Sequence, residues 1–170
     1  MSIFSKVIVR ISTVVAAAVF FAAAGALPAG AVPRTGDAAP AFELPTAHGG
    51  KTSLGDFRGK PLYVNFFASW CAPCNAEAGS VGVLYTKYHA RGLAIVGVNE
   101  LEDSSKALDF AHRYRWPFTV ALDGNGEMVK SYGVIGLPVH VFIDRSGKVS
   151  TFRLGEMNPG EIEDAIKKII

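Results

Sequence analysis

Phe66-Phe67-Ala68-Ser69-Trp70-Cys71-Ala72-Pro73-Cys74-Asn75-Ala76-Glu77 holds both cysteines of this 170-residue chain, and its reading decides the fold. An apolar run, Leu62–Phe67, leads into it and predicts a buried strand. The segment Asn75–Tyr88 is compatible with a helix, so the cysteines sit where a strand becomes a helix. Cys71 then lies at a helix N-terminus, where free N–H groups and the positive dipole end favour an anion. That setting lowers a thiol pKa from its free value of about 8.5 and enriches the thiolate, which is the nucleophile. Cys74, one helical turn on, is placed to attack a mixed disulfide formed at Cys71 and release the partner. Pro73 supplies no N–H, a small loss in the first turn of a helix.

Two plainer readings are weaker. A structural disulfide across a two-residue loop gives little chain-entropy stabilisation. A zinc site needs about four ligands, and His48, His89, His112 and His140 are scattered along the chain with no second cysteine pair. A redox dithiol is the favoured reading.

Outward from this centre, the N-terminus has its own logic. Lys6 and Arg10 precede Ile11–Leu27, a stretch continuously apolar or small, followed by Pro28-Ala29-Gly30-Ala31. That is the layout of a secretory signal peptide over residues 1–31, cleaved after Ala31. The rival is a retained anchor, for which this apolar length sits at the short limit. Without Lys6 and Arg10 the 17 basic residues become 15 and balance the 15 acidic ones. A neutral mature chain gives no reason to expect nucleic acid as a partner. Export places the thiols in an oxidising compartment, extracytoplasmic in location.

Residues 32–40 are rich in Pro, Gly and Ala and read as a linker ahead of a domain over 41–170. Ala41–Leu44 and Thr52–Leu54 suggest a hairpin, and Leu54–Phe57 a helical turn. The helix after the cysteines carries Gly79 and Gly82, each costing about 1 kcal/mol against Ala, which predicts a kink or close packing. Val81, Leu84, Tyr85 and Tyr88 should form its buried face. Leu93–Asn99 is a second buried strand. Asp103 or Ser104 caps a helix through Arg113, Phe118–Leu122 is a strand, and Glu127–Tyr132 a short helix. Leu137–Ile143 and Val149–Leu154 are strands joined by the turn Asp144–Lys148. Asn158-Pro159-Gly160-Glu161 starts the last helix. The alternation predicts an α/β sandwich: a central mixed sheet with parallel central strands, flanked by helices, plus an N-terminal hairpin.

The run F-F-A-S-W-C-A-P-C, Glu77, V-G-V-N-E, and Y-G-V-I-G-L-P-V-H-V-F-I-D together resemble the TlpA/ResA-like extracytoplasmic thiol–disulfide oxidoreductases of the thioredoxin-like superfamily. The likeness covers about residues 39–170, with Ser104–Leu122 matching the family's helix–strand insertion. The resemblance implies that Pro138 is the cis-proline facing the cysteines and that Leu137 offers its backbone to an extended substrate. Trp70 and those two residues would form the substrate-binding site. It also implies that Glu77, three residues past Cys74, is a partly buried acid near the dithiol. Such an acid would raise the thiol pKa values and accept the Cys74 proton. The alternative is a solvated surface Glu. Asn65 stands where many cytoplasmic thioredoxins carry a buried Asp. Two departures are visible: Ala78-Gly79-Ser80 where the family has a proline, and Val139-His140 where it has hydroxyl residues. His140 is read first as a hydrogen-bonded core histidine, with a redox role as the lesser reading.

The resulting expectation is a monomeric disulfide reductase without a cofactor beyond the redox-active pair Cys71–Cys74. Cys71, Cys74 and Glu77 are its candidate catalytic residues. Its implied partners are exported disulfide proteins, an apocytochrome c C-x-x-C-H among them, and a membrane thiol-transfer reductant of the CcdA/DsbD kind. Two alternatives stay open. One is a disulfide-forming oxidant, because direction depends on reduction potential. The other is a non-catalytic Cu(I)-binding module using the same two thiolates.

Overall fold

The computed structural model describes residues 31–170. Residues 1–30, and with them the leader reading, lie outside the described residues. The strands are β1 (Glu43–Pro45), β2 (Lys51–Ser53), β3 (Leu62–Phe67), β4 (Ala94–Glu100), β5 (Thr119–Asp123), β6 (Val139–Ile143) and β7 (Val149–Leu154). The helices are α1 (Ala72–Tyr88), α2 (Ser104–Arg113), α3 (Glu127–Ser131) and α4 (Pro159–Lys167). β1 and β2 form a separate antiparallel hairpin, and the remaining strands make one five-stranded sheet in the order β5-β4-β3-β6-β7.

β3 is buried at every position and lies at the middle of the sheet. Its side chains alternate between two apolar layers, as a strand's period of two requires. Tyr63 and Phe67 join the layer beneath α1, α2 and α4; Leu62, Val64 and Phe66 join the layer shared with the hairpin and α3. A strand covered on both faces reads as a continuous apolar run, which is why its limits match the predicted ones to the residue.

The prediction of parallel central strands holds on one side only. β3 pairs in parallel with β4, and β4 with β5, but β3 pairs antiparallel with β6. A parallel return needs a crossover that carries the chain back along a whole strand. Five residues of α3 rise only about 7.5 Å, so the chain re-enters the sheet from the end where β5 left it.

The helix boundaries follow local chemistry. Asp103 caps α2 by accepting from the Lys106 N–H at 3.1 Å. Asn158 and Glu161 form a reciprocal capping box at α4, with Pro159 in the first helical position. α1 is unbroken through both glycines. Gly82 permits close packing, since a Cβ there would lie 3.2 Å from the Tyr114 carbonyl and 3.4 Å from Trp116. At Gly79 a Cβ would meet nothing within 4 Å. Part of the stretch read as a linker is docked on the domain instead. Gly36 and Ala39 donate to the Val149 and Gly147 carbonyls, and Val149 donates back to Asp37. These bonds cover part of the outer edge of β7. Among the described residues no helix is long and apolar enough to cross a membrane.

Candidate active site

α1 begins at Ala72, three residues earlier than the apolar pattern suggests, so Cys71 is its N-cap and Cys74 lies inside its first turn. The two sulfurs are bonded at 2.03 Å. The backbone N–H of Cys74 donates to Cys71 Sγ at 3.2 Å, an orphan helix donor aimed at sulfur. Both cysteines are buried, whereas Trp70 beside them is 69% exposed.

The loop ahead of Cys71 is fastened from two sides. Asn75 Nδ2 donates to the carbonyls of Ser69 (3.0 Å) and Cys71 (2.8 Å), and its Oδ1 accepts from the Tyr114 hydroxyl. Glu102, just past β4, accepts from the Ser69 N–H (2.7 Å), the Ser69 hydroxyl (2.6 Å) and Asn99 Nδ2 (2.8 Å). The residue before it, Leu101, adopts φ +55°, an uncommon conformation for a branched side chain. Burial works against the Glu102 carboxylate, but the Ser69 and Asn99 hydrogen bonds outweigh it and hold its pKa below the usual range. Glu102, Asn75 and Tyr114 were not singled out by sequence reasoning; V-N-E drew attention to the neighbouring Asn99 and Glu100 only as a likeness.

A depressed carboxyl pKa contributes stability above its unfolded value, and that contribution disappears as pH falls through the folded one. Glu102→Gln is therefore expected to cost about 1 kcal/mol at neutral pH, less than the ~1.5–3 kcal/mol of a charged hydrogen bond because the group is partly exposed. The difference from wild type should shrink below about pH 4. Denaturant unfolding of both proteins at neutral pH and at about pH 3.5 checks this; a constant difference would show that the charge is not what holds the loop.

Glu77 is 5% exposed, so the solvated alternative does not hold. Its Oε2 accepts from the Met157 N–H at 3.1 Å and its Oε1 from Asn65 Nδ2 at 3.3 Å. His140 Nε2 lies 3.4 Å from Oε2. The imidazole is fully buried and faces Asn65 across the β3–β6 ladder. Its Nδ1 meets the Tyr63 hydroxyl at 2.7 Å, and its Nε2 meets the Gly155 carbonyl at 3.2 Å. Burial first, then the neighbouring Glu77, pushes the Tyr63 phenol well above the ordinary tyrosine range. His140 is thus a hydrogen-bonded core histidine, as first read, but one that touches the candidate acid. Tyr63 was missed as a site residue; its step of two from Asn65 on one strand was the available signal.

The peptide bond Leu137–Pro138 is cis. β6 pairs Val139 with Phe66, which sets Pro138 beside the end of β3 from which the cysteine loop departs. Among the described residues no backbone hydrogen bond uses Leu137, while the Pro138 carbonyl accepts from Gly155. Ile135 is 85% and Leu154 49% exposed, and Leu154 lies across from Val139. Among the described residues no group of three or more His, Cys, Asp or Glu could hold a metal ion.

A disulfide that caps the helix leaving the central strand, on a mixed sheet with helices on both faces, defines a thioredoxin-like thiol–disulfide oxidoreductase. The redoxin family matches residues 34–169. The thiol-disulfide oxidoreductase ResA of Bacillus thuringiensis subsp. konkukian (strain 97-27) is 38% identical over 134 residues, covering 79% of this chain and 78% of that one. ResA of Bacillus subtilis (strain 168) is 32% identical over 134 residues, covering 79% and 75%. Among solved structures, a thiol:disulfide interchange protein of the thioredoxin family from Chlorobium tepidum TLS superposes with a TM-score of 0.72 at 26% identity, covering 82% of this chain and 99% of that one. A secreted Mycobacterium tuberculosis disulfide oxidoreductase homologous to E. coli DsbE gives 0.68 at 27% identity, covering 75% and 95%. The chain belongs to the redoxin family and, within it, to the TlpA/ResA-like thiol–disulfide oxidoreductases.

Proposed function

We propose that the protein works outside the cytoplasmic membrane as a disulfide reductase for exported proteins. The observation that carries the direction is the buried Glu77, one helical turn beyond Cys74, surrounded by hydrogen-bond donors. Donors on both oxygens suit the ionised carboxylate. A negative charge there opposes thiolate formation at the dithiol, and destabilising the reduced thiolate form is the reverse of what makes a strong oxidant. Cys71 attacks the target disulfide; Cys74 then gives its proton to Glu77 and displaces the reduced target.

The substrate is an extended protein segment. It is recognised through the Leu137 backbone, unbonded among the described residues, and the exposed apolar surfaces of Trp70, Ile135 and Leu154. An apocytochrome c haem-binding C-x-x-C-H is the proposed target class, and a membrane thiol-transfer protein of the CcdA/DsbD kind the proposed electron donor, both on the family resemblance. The leader reading of residues 1–31 supports export.

Equilibration of the purified protein with glutathione buffers tests the direction. The expected reduction potential lies well below about −200 mV; a value near about −120 mV, the range of a dedicated oxidant, would reverse the assignment.

A further inference from the structure

The polar contacts around His140 constrain where its ring proton lies. A carbonyl oxygen can only accept, so Nε2, 3.2 Å from the Gly155 oxygen, carries the ring proton. The same N–H passes 3.4 Å from Glu77 Oε2. On the other side of the ring, Asn65 Nδ2 lies 3.3 Å and the Tyr63 hydroxyl 2.7 Å from Nδ1. The amide nitrogen can only donate; the Tyr63 oxygen accepts from it at 3.2 Å, and Nδ1 is the acceptor that lies within reach of the phenol proton, which burial and Glu77 keep in place. A second ring proton at Nδ1 would face the Asn65 amide and displace the phenol proton from its acceptor. The charged and titratable groups around the ring are few: Tyr63 from β3, Glu77 from α1, and Arg153, the cross-strand neighbour on β7, whose guanidinium points to Glu161 of α4 at 3.7 Å.

We propose that His140 is a positioning residue for the dithiol reaction: a neutral imidazole whose single N–H, shared between Gly155 and Glu77, holds the Glu77 carboxylate in place to receive the Cys74 proton. The proposal rests on the reading of Glu77 given above. In the resolving step the Cys74 S–H bond breaks and its proton passes to Glu77. The Cys74 sulfur bonds to Cys71 sulfur, and the Cys71–target bond breaks. The target leaves with the electron pair as a thiolate and is protonated from Glu77 or water. The enzyme dithiol is oxidised by two electrons and the target reduced by two. The imidazole gains and loses no proton. A neutral donor orients the carboxylate without supplying the full positive charge that would make it a poorer base.

Nitrogen-15 NMR of the purified protein reads the ring directly. The expected His140 signals at neutral pH are a protonated Nε2 and an unprotonated Nδ1. An imidazolium or the Nδ1–H tautomer there would overturn the proposal. Stopped-flow reaction of the reduced enzyme with an aromatic disulfide, whose second release of coloured thiol reports Cys74 attack, reads the consequence. His140→Leu removes the N–H and is expected to slow that release about tenfold, while His140→Gln, which keeps a neutral donor, regains most of it. Equal slowing in both variants, or slowing by His140→Leu that persists on top of Glu77→Gln, would refute the positioning role. If Glu77→Gln slows the second release and His140→Leu does not, the reading of Glu77 stands and this inference fails. If Glu77→Gln leaves it unchanged, both fall together.

Discussion

Cys71→Ser is expected to abolish disulfide reduction, with turnover falling by about a thousandfold or more, as for loss of any covalent nucleophile. The fold should survive, because a serine hydroxyl also caps a helix and can accept the residue 74 N–H that now points at sulfur. Cys74→Ser should behave differently. The N–H that stabilises the Cys71 thiolate belongs to the backbone of residue 74 and remains after the change. Attack on the target therefore proceeds and resolution does not, so mixed disulfides with substrate accumulate. Reduction of insulin-type disulfides, followed on non-reducing gels, separates the two variants. Wild-type turnover by Cys74→Ser would invert the assigned order of the cysteines.

The second large effect is expected at Glu77. Glu77→Gln removes a negative charge that opposes thiolate formation, so the alkylation profiles of both thiols should move to lower pH, that of Cys74 further. Turnover should nevertheless fall by about a hundredfold, because the proton acceptor for Cys74 is gone. The amide also fits poorly. Met157 N–H and Asn65 Nδ2 donate to different oxygens of the carboxylate. A glutamine must turn its own NH2 toward one of them, at a cost of about 1–3 kcal/mol for a buried mismatch. Thermal unfolding measured beside the kinetics separates this packing cost from the chemistry. Superimposable alkylation curves from about pH 5 to about pH 10 would remove Glu77 from the site and leave the helix N-terminus to tune the dithiol.

What the sequence disclosed followed from how local each signal was. β3, the Asp103 cap and the Asn158–Glu161 box were legible because each is specified within a few residues. The apolar pattern places the start of α1 at Asn75 because Ala72-Pro73 carries no apolar period, although a proline just inside the start is a helix signal in its own right. The apolar run begins at Leu137, but the β6 ladder starts at Val139 once the proline has been passed. Cys71, Cys74 and Pro138 were found by motif. The partners of Glu77 were not, since Asn65, His140 and Met157 reach it from two strands and a loop that are up to 80 residues away. Only the strand register shows that Asn65 and His140 are opposite one another. Glu102 was hidden for the same reason: it holds Ser69 across 33 residues of sequence.

The facing of Asn65 and His140 also bears on how the chain selects one pairing among several. β6 is apolar on every other residue besides Phe142, and both sides of the sheet are covered, so hydrophobicity alone distinguishes weakly between two alignments one step apart. A one-residue slip would turn every β6 side chain to the opposite face. It would drive the imidazole into the apolar layer of Leu62, Val64 and Phe66. It would also leave Tyr63, Asn65 and Glu77 without the ring nitrogens they now meet. The buried histidine thereby acts as a key for strand alignment. A leucine in its place would make the misaligned sheet easier to form even if the aligned one lost little stability.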